Sequence, residues 1–130
     1  MIMPMAKANT VASRKAKSRR LQNWTAEQIA ELLECEWGRD CSVAPREMGQ
    51  SGTDIRLVGE VQKEFPYSVE CKNQETWAVP AWIRQAKENQ KENTDWLLVC
   101  KRNHEKPVII MDAEAFFRLL KESKYGKEKS

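Results

Sequence analysis

With 130 residues, 41% of them hydrophobic, the chain is the size of a single domain and can bury a core without disulfides or a structural metal. Its longest apolar runs, Trp96–Cys100 and Val108–Met111, are strand-sized and far below the ~20 residues of a membrane-spanning helix. No apolar segment follows the first charges, so neither a secretory signal nor a membrane partner is expected.

The net charge of +3 conceals an asymmetry. Residues 1–20 hold six of the 22 basic side chains and none of the 19 acidic ones, so the remaining chain, with 16 basic groups, is net −3. Residues 1–22, rich in Ala, Ser, Lys and Arg, lack hydrophobic periodicity and read as a flexible basic arm or a loosely held helix. Arg19 and Arg20 are its candidate phosphate contacts, because each neutralised phosphate releases condensed counterions. A solubilising leader fits the same composition, and the sequence leaves both readings open.

A domain is expected over residues 23–123. Thr25 and Gln28 form a capping box, and Trp24 and Ile29 occupy the positions of a hydrophobic staple. The helix they start carries Leu32, Leu33 and Trp37, and Gly38 is placed to end it. Cys41–Ala44 reads as a short strand, and Met48–Thr53 as a loop bent at Gly49 and Gly52. Asp54–Val58 is a second strand, Gly59–Phe65 its turn, and Tyr67–Lys72 a third strand. Pro80 suits a helix start, with Ala81–Asn93 following. Trp96–Cys100 and Val108–Met111 are two apolar strands, and Asp112 caps a last helix from Ala113 to Ser123. Residues 124–130 form a charged tail. This order predicts an α/β (α+β) fold, a mixed sheet flanked by helices.

The segment Ser68–Lys72 carries the chemistry. Side chains alternate across a strand, so Glu70 and Lys72 share one face while Val69 and Cys71 share the other. If the strand of Asp54 pairs with it, Asp54 and Glu70 converge on one cation. Oxygen ligands of this kind suit magnesium, with manganese as a substitute. Such a metal acidifies water and screens a phosphate in its transition state, while Lys72 positions the attacking water. A surface ion pair is the plainer reading of Glu-x-Lys alone.

The stretch Met48–Asp54 followed by Phe65–Glu75, with Gly52-Thr53-Asp54-Ile55 and Val69-Glu70-Cys71-Lys72 at its centre, resembles the PD-(D/E)XK nucleases, and among them the phage and archaeal Holliday junction resolvases. The resemblance covers residues 24–120. It implies a restriction-endonuclease-like fold, metal-dependent hydrolysis of DNA and often a homodimer. It also implies that Asp54, Glu70 and the Cys71 carbonyl hold the metal and that Lys72 is the catalytic lysine. A glutamate from the first helix, Glu27 ahead of Glu31 and Glu34, and Gln85 from the helix after the strand would join them. Thr53 stands where the family name has its proline.

Other candidates are softer. Arg46, Ser51 and Thr53 lie near the loop before Asp54 and suit phosphate oxygens, or simply form the turn. Lys101 and Arg102 sit in a charged turn that could hold a second DNA arm. Trp24, Trp37, Trp82 and Trp96 read as core or dimer contacts, while Trp77 could stack on a base or pack. Cys35, Cys41, Cys71 and Cys100 contain no CxxC pair, and Cys100 with His104 lacks two further ligands, so zinc is not expected and the thiols read as reduced. The expected protein is therefore a cytoplasmic, magnesium-dependent DNA endonuclease of phage or prophage type in a bacterial host. Its preferred substrate would be branched DNA, and a dimer would pair two sites for two strands. A nicking, single-strand, restriction or packaging nuclease and a non-catalytic DNA-binding accessory protein are the alternatives.

Overall fold

The computed structural model describes residues 10–47 and 50–123. Lys7, Met48, Gly49 and the 124–130 tail, on which some expectations fall, lie outside the described residues. The elements are α1 (Val11–Leu33), β1 (Val43–Pro45), β2 (Ile55–Leu57), α2 (Glu60–Glu64), β3 (Tyr67–Asn73), α3 (Val79–Asn89), β4 (Asp95–Lys101), β5 (Val108–Met111) and α4 (Ala113–Glu122).

Two small sheets result, and the fold is α+β with helices over a mixed sheet, as expected. β1 and β2 pair antiparallel, with Val43 opposite Leu57 and Pro45 opposite Ile55. β3 runs parallel to β4, from Tyr67 opposite Asp95 to Asn73 opposite Lys101, and β5 returns antiparallel along β4. Parallel neighbours need a crossover, which α3 supplies.

β4 shows why this sheet needs cover on both sides. Leu97 and Val99 join Leu21, Ala26 and Ile29 of α1, together with Val43, Ile55, Leu57, Val69 and Cys71. Trp96, Leu98 and Cys100, on the alternate face, meet Trp82 and Ala86 of α3. A strand apolar on both faces sits at the centre of such a sheet, here between β3 and β5. β3 differs, because only its Val69/Cys71 face is apolar. Its Glu70/Lys72 face turns to α3, and that placement makes the site.

Several local expectations give way. The first helix does not begin at Thr25. It starts at Val11, with Thr10 as its cap accepting from Ser13 N at 3.1 Å. Residues 11–24 are rich in good helix formers, so nothing interrupts the run. Thr25 instead donates its hydroxyl proton to Leu21 O at 2.8 Å, as a threonine inside a helix does. Of the two readings of residues 1–22, a flexible arm or a loosely held helix, residues 11–22 take the helical one as the first half of α1, and Leu21 is 3% exposed in the core.

The helix ends at Leu33, five residues before Gly38. Glu34 takes the left-handed cap conformation, φ 55°, and its N–H reaches Ala30 O and Glu31 O. Gly38 lies in the turn ahead of β1. Trp24 and Leu32 face solvent, whereas Trp82 and Trp96 are buried and Trp37 packs at the edge of the core. The expected turn after β2 contains the short helix α2. Asp112 caps α4 as expected, accepting from Ala115 N at 3.0 Å.

Candidate functional site

Asp54 and Glu70 come together, but not through paired strands. β2 pairs with β1 alone, and Asp54, the residue before β2, reaches β3 by itself. Its N–H donates to Val69 O at 3.0 Å, and its Oδ2 accepts from Cys71 N at 2.7 Å. The carboxylate is thereby fastened to the free edge of β3, one residue from Glu70. Gly52 allows the approach: its φ of +103° belongs to the region glycine favours, and its carbonyl accepts from Arg46 Nη1 at 2.7 Å.

Glu70 is 2% exposed and Asp54 7%. Burial, then the charge of Asp54, pushes the Glu70 carboxyl up from 4.5 to about 7, against the smaller pull of Asn89, Lys72 and Arg46. Asn89 Nδ2 approaches Glu70 Oε2 at 3.4 Å. A buried pair of carboxylates with so little relief is a place where a cation is favoured.

Lys72 turns to α3. Its Nζ donates to Gln85 Oε1 at 2.7 Å and lies 5.8 Å from the centre of the Trp82 ring. Gln85 thus meets the lysine it was expected to join. Asn89, missed from sequence, is on the same helix face one turn later, and Trp82 is three residues before Gln85, so the i, i+3 and i+4 spacing was a usable signal.

Arg46 does more than the sequence suggested. Its Nη2 pairs with Asp54 Oδ1 at 3.2 Å, so both Asp54 oxygens are engaged, one by Arg46 and one by the Cys71 amide. Arg19 Nη1 in turn donates to Arg46 O at 3.2 Å, tying α1 to this loop.

The remaining candidates scatter. Glu27 and Glu31 are exposed on α1 and Glu34 is exposed at its cap, and among the described residues no third Asp, Glu, His or Cys completes a metal-binding group with Asp54 and Glu70. The buried residues of α1 include Thr25, Ala26, Ile29 and Ala30, which leaves Glu27 on the solvent side. Thr53 is 6% exposed and donates to Ile55 O at 3.0 Å, so its hydroxyl serves the turn. Ser51 and Arg20 are exposed. Lys101 Nζ donates to Arg102 O, and Arg102 lies 3.9 Å from Glu105 in the β4–β5 turn. Trp77 donates to Gln74 O at 2.8 Å and packs on Trp82, a structural role.

All four thiols are free. Burial pushes the Cys71 thiol far up and that of Cys100 to about 11, so neither is a thiolate nucleophile.

The donors at Asp54 and Glu70 are hard oxygens. In a strand a residue's carbonyl leaves from the same edge as its N–H, so the Cys71 carbonyl lies on the edge where Asp54 is bound. Two carboxylates and a carbonyl fit a hard divalent ion that keeps waters and takes further ligands from its substrate. No helix among the described residues is long and apolar enough to cross a membrane. A family model described as "Phage putative PDDEXK endonuclease" matches residues 23–129. No curated protein and no solved structure matches the chain.

Proposed function

The chain belongs to the phage PDDEXK endonuclease family, and from that premise we propose that it is a magnesium-dependent endodeoxyribonuclease selective for branched DNA, with a Holliday junction as substrate. The family makes it a nuclease with a restriction-endonuclease-like domain, and nucleases of this kind generally use divalent metals. The observation that carries the site is the buried Asp54–Glu70 pair at the edge of β3, with Lys72 on the same strand.

Asp54, Glu70 and the Cys71 carbonyl would hold the ion. When bound, it would acidify water and screen charge on the phosphate. Lys72 is the group that would orient the nucleophile and stabilise the anionic phosphate. Gln85 is a positioning residue, since its 2.7 Å bond sets where the ammonium lies. Trp82 beneath it restricts the swing of the lysine stem. Arg46 must release Asp54 Oδ1 for that oxygen to bind metal, which frees a guanidinium for a phosphate.

Selectivity for branched DNA is part of the proposal, and what surrounds this centre supports it. Cationic side chains lie beside it and suit contacts with the phosphate backbone rather than with base edges. A homodimer is part of the proposal, because one site per chain cuts one strand. Val108 and Ile109 on β5 and Phe116, Phe117 and Leu119 on α4 are exposed apolar side chains that a second copy would cover.

The test is cleavage by purified protein of a four-way junction, a flap, a linear duplex and a single strand in magnesium and in manganese. Asp54→Asn and Lys72→Ala serve as controls, and sedimentation gives the oligomeric state. Cutting of the junction alone, lost in both variants, is the expected result. Cutting of every substrate keeps the nuclease and removes the resolvase. DNA binding without cutting in either metal favours an accessory protein.

A further inference from the structure

Beside the carboxylates runs a cleft of about 930 Å³, walled by α1 residues 14–19 and Gln22 on one side and by Arg46, Glu47 and residues 73–76 on the other. Five of its side chains are cationic: Arg14, Lys15, Lys17, Arg19 and Arg46. Two are acidic, and one of these, Glu75, already accepts from Asn103 N at 2.7 Å. Residue 73 follows Lys72 directly along β3, and Arg46 belongs at once to this cleft and to the Asp54 ion pair. Arg46 thus links the cleft to Asp54 of the proposed catalytic centre.

One buried polar group points to a missing anion. Lys17 is 9% exposed, yet no anion among the described residues pairs with it. A lysine buried without a partner is uncommon. Asn73 donates from Nδ2 to Lys17 O at 3.2 Å, which fastens the end of β3 to α1, while its Oδ1 is buried with no donor. No aromatic side chain lines the cleft, so it offers no platform on which a base could stack. Cations without stacking surfaces recognise a backbone rather than bases.

We propose that this cleft binds the phosphodiester backbone of the substrate strand next to the scissile phosphate, with Lys17 as its buried anchor, Lys15 and Arg19 along its wall and Arg46 at the junction with the catalytic centre. The inference rests on the nuclease reading and adds a second binding site to it. Its register is set by α1: Lys17 and Leu21 lie four residues apart on one helix face, so the Leu21 contact that seats the helix in the core also points Lys17 inward.

The test is binding of fluorescein-labelled single-stranded and junction DNA to the full chain in EDTA, followed by anisotropy across a salt series. The variants are Lys15→Ala/Arg19→Ala and, because Lys17 is buried, Lys17→Met, which keeps an apolar stem of similar length. Lys63→Ala/Lys121→Ala, remote from the cleft, is the control. Each lost phosphate contact should flatten the slope of log K against log salt by about 0.7 on single strands and about 0.9 on duplex arms. The double variant should therefore lose roughly 1.4 to 1.8, with at least tenfold weaker binding at 0.1 M salt, while the control matches wild type. Cleft variants that fold, by circular dichroism, and keep the wild-type slope would overturn the proposal, even if the protein cuts DNA through Asp54. A cleft-dependent slope in a protein that never cuts would uphold the site and remove the nuclease reading.

Discussion

On one face of β3, Val69 and Cys71 are sealed against α1, β2 and β4, with Val69 fully buried. One residue along, on the face turned to α3, Glu70 is as deeply buried but carries a carboxyl that burial and Asp54 hold toward its neutral form. The first face gains free energy from removing apolar surface from water. The second gives free energy up, because an ionised carboxylate leaves water without a full set of partners. Neighbouring residues on one strand thus divide the work, and the face that weakens the metal-free fold is the one to which the proposal assigns the chemistry.

The largest expected effect breaks the second face alone. Asp54→Asn or Lys72→Ala should lower the cleavage rate by about 10²–10³-fold, comparable to losing one preorganised charge-stabilising group. Circular dichroism should be unchanged for Lys72→Ala, since its contacts are to the half-open side of the sheet. Retained cleavage in either variant would place the chemistry elsewhere.

Next is Glu70→Gln, which should slow cutting to no greater extent than those variants yet stabilise the metal-free protein. The folded carboxyl titrates at about 7 against 4.5 for the free group, so between those values the native state binds more protons than the unfolded state. Stability from this group is thus fully present below pH 4.5, falls as the pH rises, and is lost by pH 7. The variant should melt with wild type at pH 4 and above it at pH 8, by on the order of 2–4 kcal/mol. A gap that does not widen with pH would show that Glu70 is not held in its protonated form.

Val69→Ala breaks the opposite face. It removes two buried methyl groups' worth of volume and should cost about 2 kcal/mol in stability, with cleavage kept at temperatures where the protein stays folded. Loss of cleavage in a folded Val69→Ala variant would mean that the two faces are not separable.

The smallest effect sharpens the comparison at Arg46. Its guanidinium holds Asp54 Oδ1 in a partly exposed pair. Arg46→Gln should tighten magnesium binding two- to fivefold by calorimetry, in line with the ~0.5–1 kcal/mol of such pairs, while weakening DNA binding. Metal affinity that falls instead would make Arg46 a supporter of the metal rather than its competitor.

The local signals in the sequence were strong wherever periodicity was strong. β5 spans Val108–Met111 as read, β3 and β4 differ by a residue at their ends, and Asp112 caps α4. The face-sharing of Glu70 and Lys72 follows from strand alternation and needed no tertiary information. The first half of α1 was left open between arm and helix because it puts few apolar residues toward the core. Lys17 holds a position where a periodic pattern would show an aliphatic side chain. The capping box at Thr25 was misleading for a related reason: the same hydroxyl that caps a helix start can bond the preceding turn when a helix already exists.

By itself the sequence determined which side chains share a strand face and where the chain turns at Gly52. Those properties depend on neighbours a few positions away. Only the tertiary structure decided that Asp54 meets β3 through its own amide and carboxylate rather than through a strand ladder, that Arg46 occupies it, and that α1 and residues 73–76 enclose a basic cleft. These contacts join residues 8 to 56 positions apart, from Arg46 with Asp54 to Lys17 with Asn73. Packing of the whole core sets them, and no local spacing encodes that.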